Sequence, residues 1–316
     1  MSWTTWSAER WGIAFAILAA FGFSFKAIFV KLAYAAAPVD AVTLLTLRMS
    51  FALPLVLCAG LWLCRQSAPA LKGKDWGLLI ALGLLGYYGA SILDFIGLQY
   101  ISAALERLIL FVYPTITVLI GVLCMGKRWE KRQVGALLLS YAGIALAFAH
   151  DLTVADEIDS VLLGAAFVFG SALSYALYSA GAEIAIHRIG TLRFAVLAII
   201  VSTAATQFNF VLVRPFTALV QPVPVYAYAA AMAFFSTVLP IFWLSAAVQR
   251  IGAARAVLIG TLGPMLTIFF AWLLLAEPVS IAQLTGAGLV LAGVLLVARR
   301  NPAPAWQALG SEKVGA

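Results

Sequence analysis

Residues 99–148 and 249–298 read as one segment written twice, 150 positions apart and without a gap. Gln99-Tyr100-Ile101-Ser102-Ala103-Ala104 is answered by Gln249-Arg250-Ile251-Gly252-Ala253-Ala254. Leu108-Ile109 returns as Leu258-Ile259, Pro114 as Pro264, Thr117 as Thr267, Gln133 as Gln283 and Ala142-Gly143 as Ala292-Gly293. Self-similarity over so long a segment means one multi-element unit used twice, with an interface between the two copies.

Composition decides the solvent around those copies. The 316 residues are 64% hydrophobic and 10% charged, with a mean hydropathy of +1.03. A soluble domain carries roughly 25% charged residues, so the chain reads as a polytopic membrane protein. The net charge of +7 does not point to nucleic acid, because the basic residues form short runs between apolar stretches. Cys58, Cys64 and Cys124 lie in or at the ends of apolar stretches, with neither metal-ligand spacing nor a disulfide framework. Arg10, an apolar run and Ala35-Ala36-Ala37 imitate a secretory signal. The run from Trp11 to Ala36 exceeds a signal core of roughly 7–15 residues and holds Lys26 and Lys31, so it reads as a retained spanning helix.

A spanning helix needs about 20 mostly apolar residues. Ten are expected, at 11–34, 40–64, 76–98, 102–126, 133–150, 161–183, 191–213, 223–248, 253–276 and 280–298. With the N-terminus inside, all but five of the 20 Lys and Arg residues lie on the inner side. Arg107 and Arg214 are assigned outside, and Lys26, Lys31 and Arg48 lie within helices. The positive-inside rule then places both termini in the cytoplasm. Five helices separate equivalent positions, and five is odd, so the second copy is upside down. The expected fold is an all-α integral membrane protein with ten transmembrane helices in two inverted five-helix repeats. The first covers 11–150, the second 161–298, and a cytoplasmic tail follows at 299–316. Gly12, Ala14 and Phe15 align on Gly164, Ala166 and Phe167, while the 150-residue offset sets Lys26, Arg48 and Asp94 against Ala176, Ala198 and Leu244.

A charge at the centre of a spanning helix costs roughly 2.5–3.5 kcal/mol. Lys26, Arg48 and Asp94 are therefore expected to pair or to face a wet cavity. Asp94 shares a helical face with Ser91 and Tyr87. It is a candidate for binding a substrate ammonium, for proton coupling, or for a structural ion pair with Lys26 or Arg48. Glu106 is read as a vestibule or capping residue, Glu277 as a cap for the turn between the last two spans, and Lys31 as a snorkelling side chain. Tyr175 and Tyr178, with Ser171 and Ser174, could stack a flat or apolar substrate or could simply pack between helices. Trp243, near Pro240, is a candidate cavity wall. Thr203, Thr206, Gln207 and Asn209 suggest that the seventh span borders water. Pro114 and Pro264 are equivalent helix interruptions, read as gates or as fixed bends. Gly83, Gly86, Ala90, Gly135, Gly286 and Gly293 are read as close-packing positions. His150 and His187 are far apart, and no phosphate loop, metal cluster or serine-nucleophile motif is present. No enzyme activity, cofactor, metal or nucleic-acid partner is expected.

Phe25-Lys26 through Pro38 and Arg48, Gly97-Leu98-Gln99-Tyr100-Ile101-Ser102-Ala103-Ala104 with Pro114, and Ile251-Gly252-Ala253-Ala254 with Pro264 and Ala276-Glu277-Pro278 resemble the EamA-type, ten-helix branch of the drug/metabolite transporter superfamily. The resemblance covers nearly the whole chain. It implies a basket-like bundle whose central cavity is walled by helices 1, 3, 4, 6, 8 and 9, and export of amino acids or related metabolites in many members. One departure is plain: Gly126-Lys127-Arg128 stands where the second copy has Ala276-Glu277-Pro278, which argues against symmetric gating by Glu277. The expected function is a secondary transporter in a bacterial inner membrane, exporting a small amphipathic metabolite such as an amino acid by alternating access. Its partners would be that substrate and the lipid bilayer, with protons as a candidate coupling ion, in a monomer or homodimer. The alternatives are import of an amine or carboxylate metabolite, a lipid-linked flippase on the same fold, and a non-transporting membrane receptor or enzyme.

Overall fold

Hydrocarbon offers no hydrogen bonds to a backbone, so a chain this apolar must satisfy its N–H and C=O groups within each segment. In the computed structural model it does so with helices, and no strand occurs among the described residues, 3–64, 71–125, 131–154 and 157–298. The tail expected at 299–316 and the Lys127 turn lie outside them.

Among the described residues ten helices follow in order: α1 (Trp3–Ala36), α2 (Ala41–Cys64), α3 (Gly73–Gly97), α4 (Ala103–Leu110 and Tyr113–Met125), α5 (Lys131–Val154), α6 (Ile158–Ile189), α7 (Thr191–Val213), α8 (Val223–Ile251), α9 (Ala253–Gly260 and Leu262–Leu275) and α10 (Ile281–Ala298). The first eight contain stretches long and apolar enough to cross a membrane, and Leu262–Leu275 and Ile281–Leu296 add two shorter apolar helices.

The repeat persists at the level of element starts. Ala41 and Thr191, Gly73 and Val223, Ala103 and Ala253, and Lys131 and Ile281 each open a helix 150 positions apart. Even the irregularities are duplicated. α3 widens into a π turn at Leu84–Gly89 and α8 at Phe234–Val238. α4 breaks at Phe111-Val112 and α9 at Thr261, just before Pro114 and Pro264. A proline has no N–H to donate and its ring crowds the carbonyl four residues back, so both helices are interrupted there. The junctions before α2 and α4 are capped by side chains. Asp40 accepts from the Val42 and Thr43 N–H groups, and Ser102 from that of Leu105. Their equivalents before α7 and α9 are Gly190 and Gly252, with φ of +87° and +79°. That left-handed backbone suits glycine and lets a single residue turn the chain.

Packing also obeys the symmetry. The Gly143 and Gly286 backbones meet where α5 crosses α10, and Gly293 meets the Ala136 carbonyl at the equivalent crossing. α1 follows a different offset. Gly12 abuts Arg250 and Ile251 as Gly164 abuts Tyr100 and Ile101. Thr267 donates to the Ser24 carbonyl as Thr117 donates to that of Ala176. Both pairings are 152 apart, because the α6–α7 connection is shorter than the α1–α2 connection. The counterpart of Lys26 is therefore Tyr178, and the expected match to Ala176 is corrected.

Two further expectations change. Thr203 and Thr206 are buried and donate to carbonyls one turn back, and Gln207 donates to Ser50 and to the Thr46 carbonyl on α2. Thr203 and Thr206 thus bond within α7, and Gln207 ties α7 to α2. A Cβ at Gly135 would meet nothing within 4 Å, so that glycine is not a close-packing position. Gly143→Val should cost about 1–3 kcal/mol, as overpacking does, and lower the thermal unfolding temperature in detergent, whereas Gly135→Val should leave it unchanged.

Candidate functional site

A single ammonium ties three helices of the first repeat together. Lys26 Nζ on α1 lies 2.7 Å from Asp94 Oδ2 on α3 and 3.2 Å from Glu106 Oε1 on α4. Side-chain exposure is 17% for Lys26, 1% for Asp94 and 0% for Glu106, so these charges meet in a low-dielectric interior where attraction is strong and an unpaired charge is costly. Of the expected alternatives, Asp94 pairs with Lys26, not Arg48. Glu106 is corrected from a vestibule position to the buried cluster, because it lies within the first turn of α4 beneath the loops. Arg107 is also buried. Its guanidinium donates to the Phe23 carbonyl and to Thr267 of α9, with Glu106 3.9 Å away. Arg48 donates from Nε to Thr237 on the π turn of α8 and sits over the Phe95 ring, 5.5 Å from its centroid.

The predicted stripe Tyr87-Ser91-Asp94 divides. The π turn at Leu84–Gly89 breaks the regular helical phase between Tyr87 and Ser91. Tyr87 joins Tyr175 and Tyr178 in an aromatic cluster. Tyr87 and Tyr178 have ring centroids 5.5 Å apart, and Tyr175 and Tyr178 5.3 Å. Tyr113, unforeseen from sequence, packs edge-on to Tyr175 at 4.7 Å. Its place beside Pro114 at the α4 break was the available signal. Ser91 is half-buried and joins neither cluster, and Trp243 is half-buried with no ring partner among the described residues. Ser171 and Ser174 donate to the Ala90 and Leu85 carbonyls of α3, so they bind helices together.

The loop end nearest Asp94, outer in the orientation above, is closed by contacts between the repeats. Glu277, from the α9–α10 loop, accepts from the Ala103 and Ala104 N–H groups at the start of α4, at 3.0 and 3.4 Å. A carboxylate there complements both the free N–H groups and the helix dipole. The expected local cap of the α9–α10 turn is thus corrected to a cap across the repeat interface. Asp151 accepts from Ser102 and Gln283 beside it. Two clefts of about 180 Å³ open at this end. One includes Ser102, Asp151 and Glu277 in its lining, the other Lys31 and Tyr34, and neither reaches Lys26, Asp94 or Arg48.

Helices α1, α2, α3, α4 and α6 supply the charged and tyrosine side chains, and α8 and α9 add Thr237 and Thr267 as hydrogen-bond partners. A model of the EamA-like transporter family matches residues 10–149 and 162–299. The chain belongs to the EamA-like transporter family. An uncharacterized transporter of Bacillus subtilis strain 168, YcbK, is 30% identical over 88% of this chain and 89% of its own length. A second from that organism, YyaM, is 26% identical over 68% and 71%. A solved crystal structure shares the fold with a TM-score of 0.64 at 18% identity, covering 92% of this chain and 98% of its own. The protein is accordingly an integral membrane transporter, and the buried clusters are to be read against that role.

Removing one member of a buried ion pair costs about 3–5 kcal/mol because it strands the other charge. Lys26→Met and Asp94→Asn should each lower the transporter's unfolding temperature. The double variant should recover part of the loss, since Glu106 keeps Arg107. An additive double variant would show that the pair is not energetically coupled.

At the outer end, burial pushes the Glu277 carboxyl above the ordinary glutamate range, outweighing its two backbone donors and Lys31, which pull it down. The closed end therefore holds a proton more tightly than an open end with Glu277 in water. Acid favours closure, and that gain is lost as pH rises through the raised value. In a chain with its native cysteines replaced by alanine, Ile101→Cys should become less accessible to an impermeant thiol reagent as pH falls. Glu277→Ala should raise its labelling, while Glu277→Gln, which keeps an acceptor, should not.

Proposed function

We propose that this transporter is a secondary exporter of a small amphipathic metabolite, with an amino acid as the leading case, working by alternating access. One observation carries the reading: a buried ammonium held between two carboxylates. Lys26 occupies the place that a substrate ammonium would take, and the two charges are interchangeable in kind. Substrate arriving with its own ammonium can displace Lys26 from Asp94 and leave Glu106 to Lys26 or Arg107. Binding thereby changes the links among α1, α3 and α4, the change that a substrate-gated motion requires.

The inverted repeats supply the mechanics. Two halves of opposite orientation can exchange their contacts at the two membrane faces about a site between them. The breaks before Pro114 and Pro264 provide equivalent pivots in α4 and α9. Asp94 is also the carboxylate that a proton would meet once Lys26 has moved away, which would couple transport to a pH gradient. The Lys and Arg distribution favours both termini being cytoplasmic, and a bacterial inner membrane is the location proposed with it.

The test is a labelled-solute screen in proteoliposomes with amino acids and amines, with and without a pH gradient. The wild-type protein should move at least one solute carrying an ammonium. Asp94→Asn should reduce that flux by about tenfold or more, the effect of losing a charge-assisted hydrogen bond worth roughly 1.5–3 kcal/mol, while remaining folded. Unchanged flux in Asp94→Asn would remove Asp94 from the substrate path.

A further inference from the structure

The ionic cluster lacks one negative charge. Among the described residues, Lys26, Arg48 and Arg107 supply three positive groups to this interior, and Asp94 and Glu106 supply two negative ones. Neighbouring charges do not redress the balance, since Arg214 pairs with Asp40 and Lys31 interacts electrostatically with Glu277. The excess rests on Arg48. Its residue is 5% exposed and it has no carboxylate partner, with Nη1 buried and without a hydrogen-bond acceptor. Arg107 is by contrast engaged by a carbonyl, a hydroxyl and Glu106. A buried guanidinium left in this state is costly, and the equivalent position in the second repeat is Ala198.

Its surroundings complete one half of a recognition site. Thr237 fixes Nε and the Phe95 ring lies against one face of the guanidinium. That leaves part of a planar fork free, the geometry that binds a carboxylate through paired N–H groups. Asp94 is an electrostatic neighbour of Arg48, and its Oδ1 is also buried without a hydrogen-bond donor. Asp94 on α3 and Arg48 on α2 thus interact electrostatically while each keeps a buried polar atom without a hydrogen-bond partner.

We propose that Arg48 is the specificity-determining residue for the substrate carboxylate, so that Arg48 and Asp94 together select a molecule carrying both a carboxylate and an ammonium. The inference rests on the transport reading above and adds a selection rule to it. A zwitterion gives Arg48 a carboxylate and Asp94 an ammonium without adding to the positive excess. A simple amine would add to the positive excess and leave Arg48 unpaired.

The experiment compares uptake of three labelled probes into proteoliposomes: an amino acid, the amine obtained by removing its carboxylate, and its methyl ester. Wild-type protein should prefer the amino acid over both analogues by at least about tenfold, since a site with a buried polar group discriminates strongly against ligands that leave it unpaired. Arg48→Gln should lose most amino-acid uptake, keep amine uptake and bring the ratio near one. Arg48→Lys should fall between, because it retains charge without the fork. If Arg48→Gln does not fold, Thr237→Val carries the test: freeing Nε should lower the ratio. Equal uptake of amino acid and amine by wild type, or an unchanged ratio in these variants, overturns the assignment while transport itself stands. Failure of wild type to move any probe overturns both.

Discussion

Hydrocarbon solvates neither a backbone amide nor a charged side chain, and that constraint organises the protein at both scales. At the scale of the chain it forces helices, because only a helix completes its backbone hydrogen bonds within one segment. At the scale of side chains it forces charges together. Lys26, Asp94 and Glu106 would each be expensive alone, and together they bind α1, α3 and α4 around one ammonium. The same logic explains Arg107, whose guanidinium finds a carbonyl on α1 and a hydroxyl on α9. A helix that lost its partner in this network would leave an uncompensated charge behind, so the network sets which helices remain neighbours.

The duplication supplies symmetry of backbone and withholds symmetry of chemistry. Helix starts, π turns and proline breaks recur with the repeat, while Asp94, Glu106 and Arg48 meet Leu244, Ala256 and Ala198. Lys26 meets Tyr178, and Tyr87 on one π turn meets Thr237 on the other. Two copies of one scaffold therefore present an ionic cluster within the first half and a tyrosine cluster shared between the halves. The difference extends to the ends. Ser102 and Glu277 cap the start of α4, whereas α9 follows a left-handed glycine, and the position equivalent to Glu277 is Lys127, which has no acceptor.

Much of this was legible in sequence because it follows from periodic hydropathy. The spans, their number and the inversion come from apolar lengths and an odd helix count, and one of the pairings open to Asp94 was with Lys26. What sequence withheld depends on depth and on contacts between distant segments. Glu106 looked like a vestibule residue because the start of α4 could not be set against the loops above it. Glu277 looked local because nothing in Ala276-Glu277-Pro278 reveals that the α4 N-terminus lies beside it. The 152-residue register of α1 on α6 was present in Gly12 and Gly164, yet only their matching neighbours, Ile251 and Ile101, show that it governs Lys26. The π turns leave no compositional mark, so the stripe through Tyr87, Ser91 and Asp94 was drawn with a regular helical phase that the backbone does not keep.

The two-residue shift in α1 bears directly on how the halves can work together. With the uncorrected register, Lys26 faces an alanine equivalent and the second repeat has nothing at that position. With the observed one, an ammonium and a phenol occupy equivalent places on α1 and α6, Lys26 against Asp94 and Glu106 of its own repeat and Tyr178 against Tyr87 of the other. A substrate that crosses between the halves would pass from partners that exchange charge to partners that offer aromatic faces and hydroxyls. A molecule with a charged end and an apolar body can be held by either set, one end at a time, whereas a fully hydrophilic ion finds partners only in the first. On the proposed transport reading, this asymmetry between two otherwise equal halves would favour amphipathic cargo.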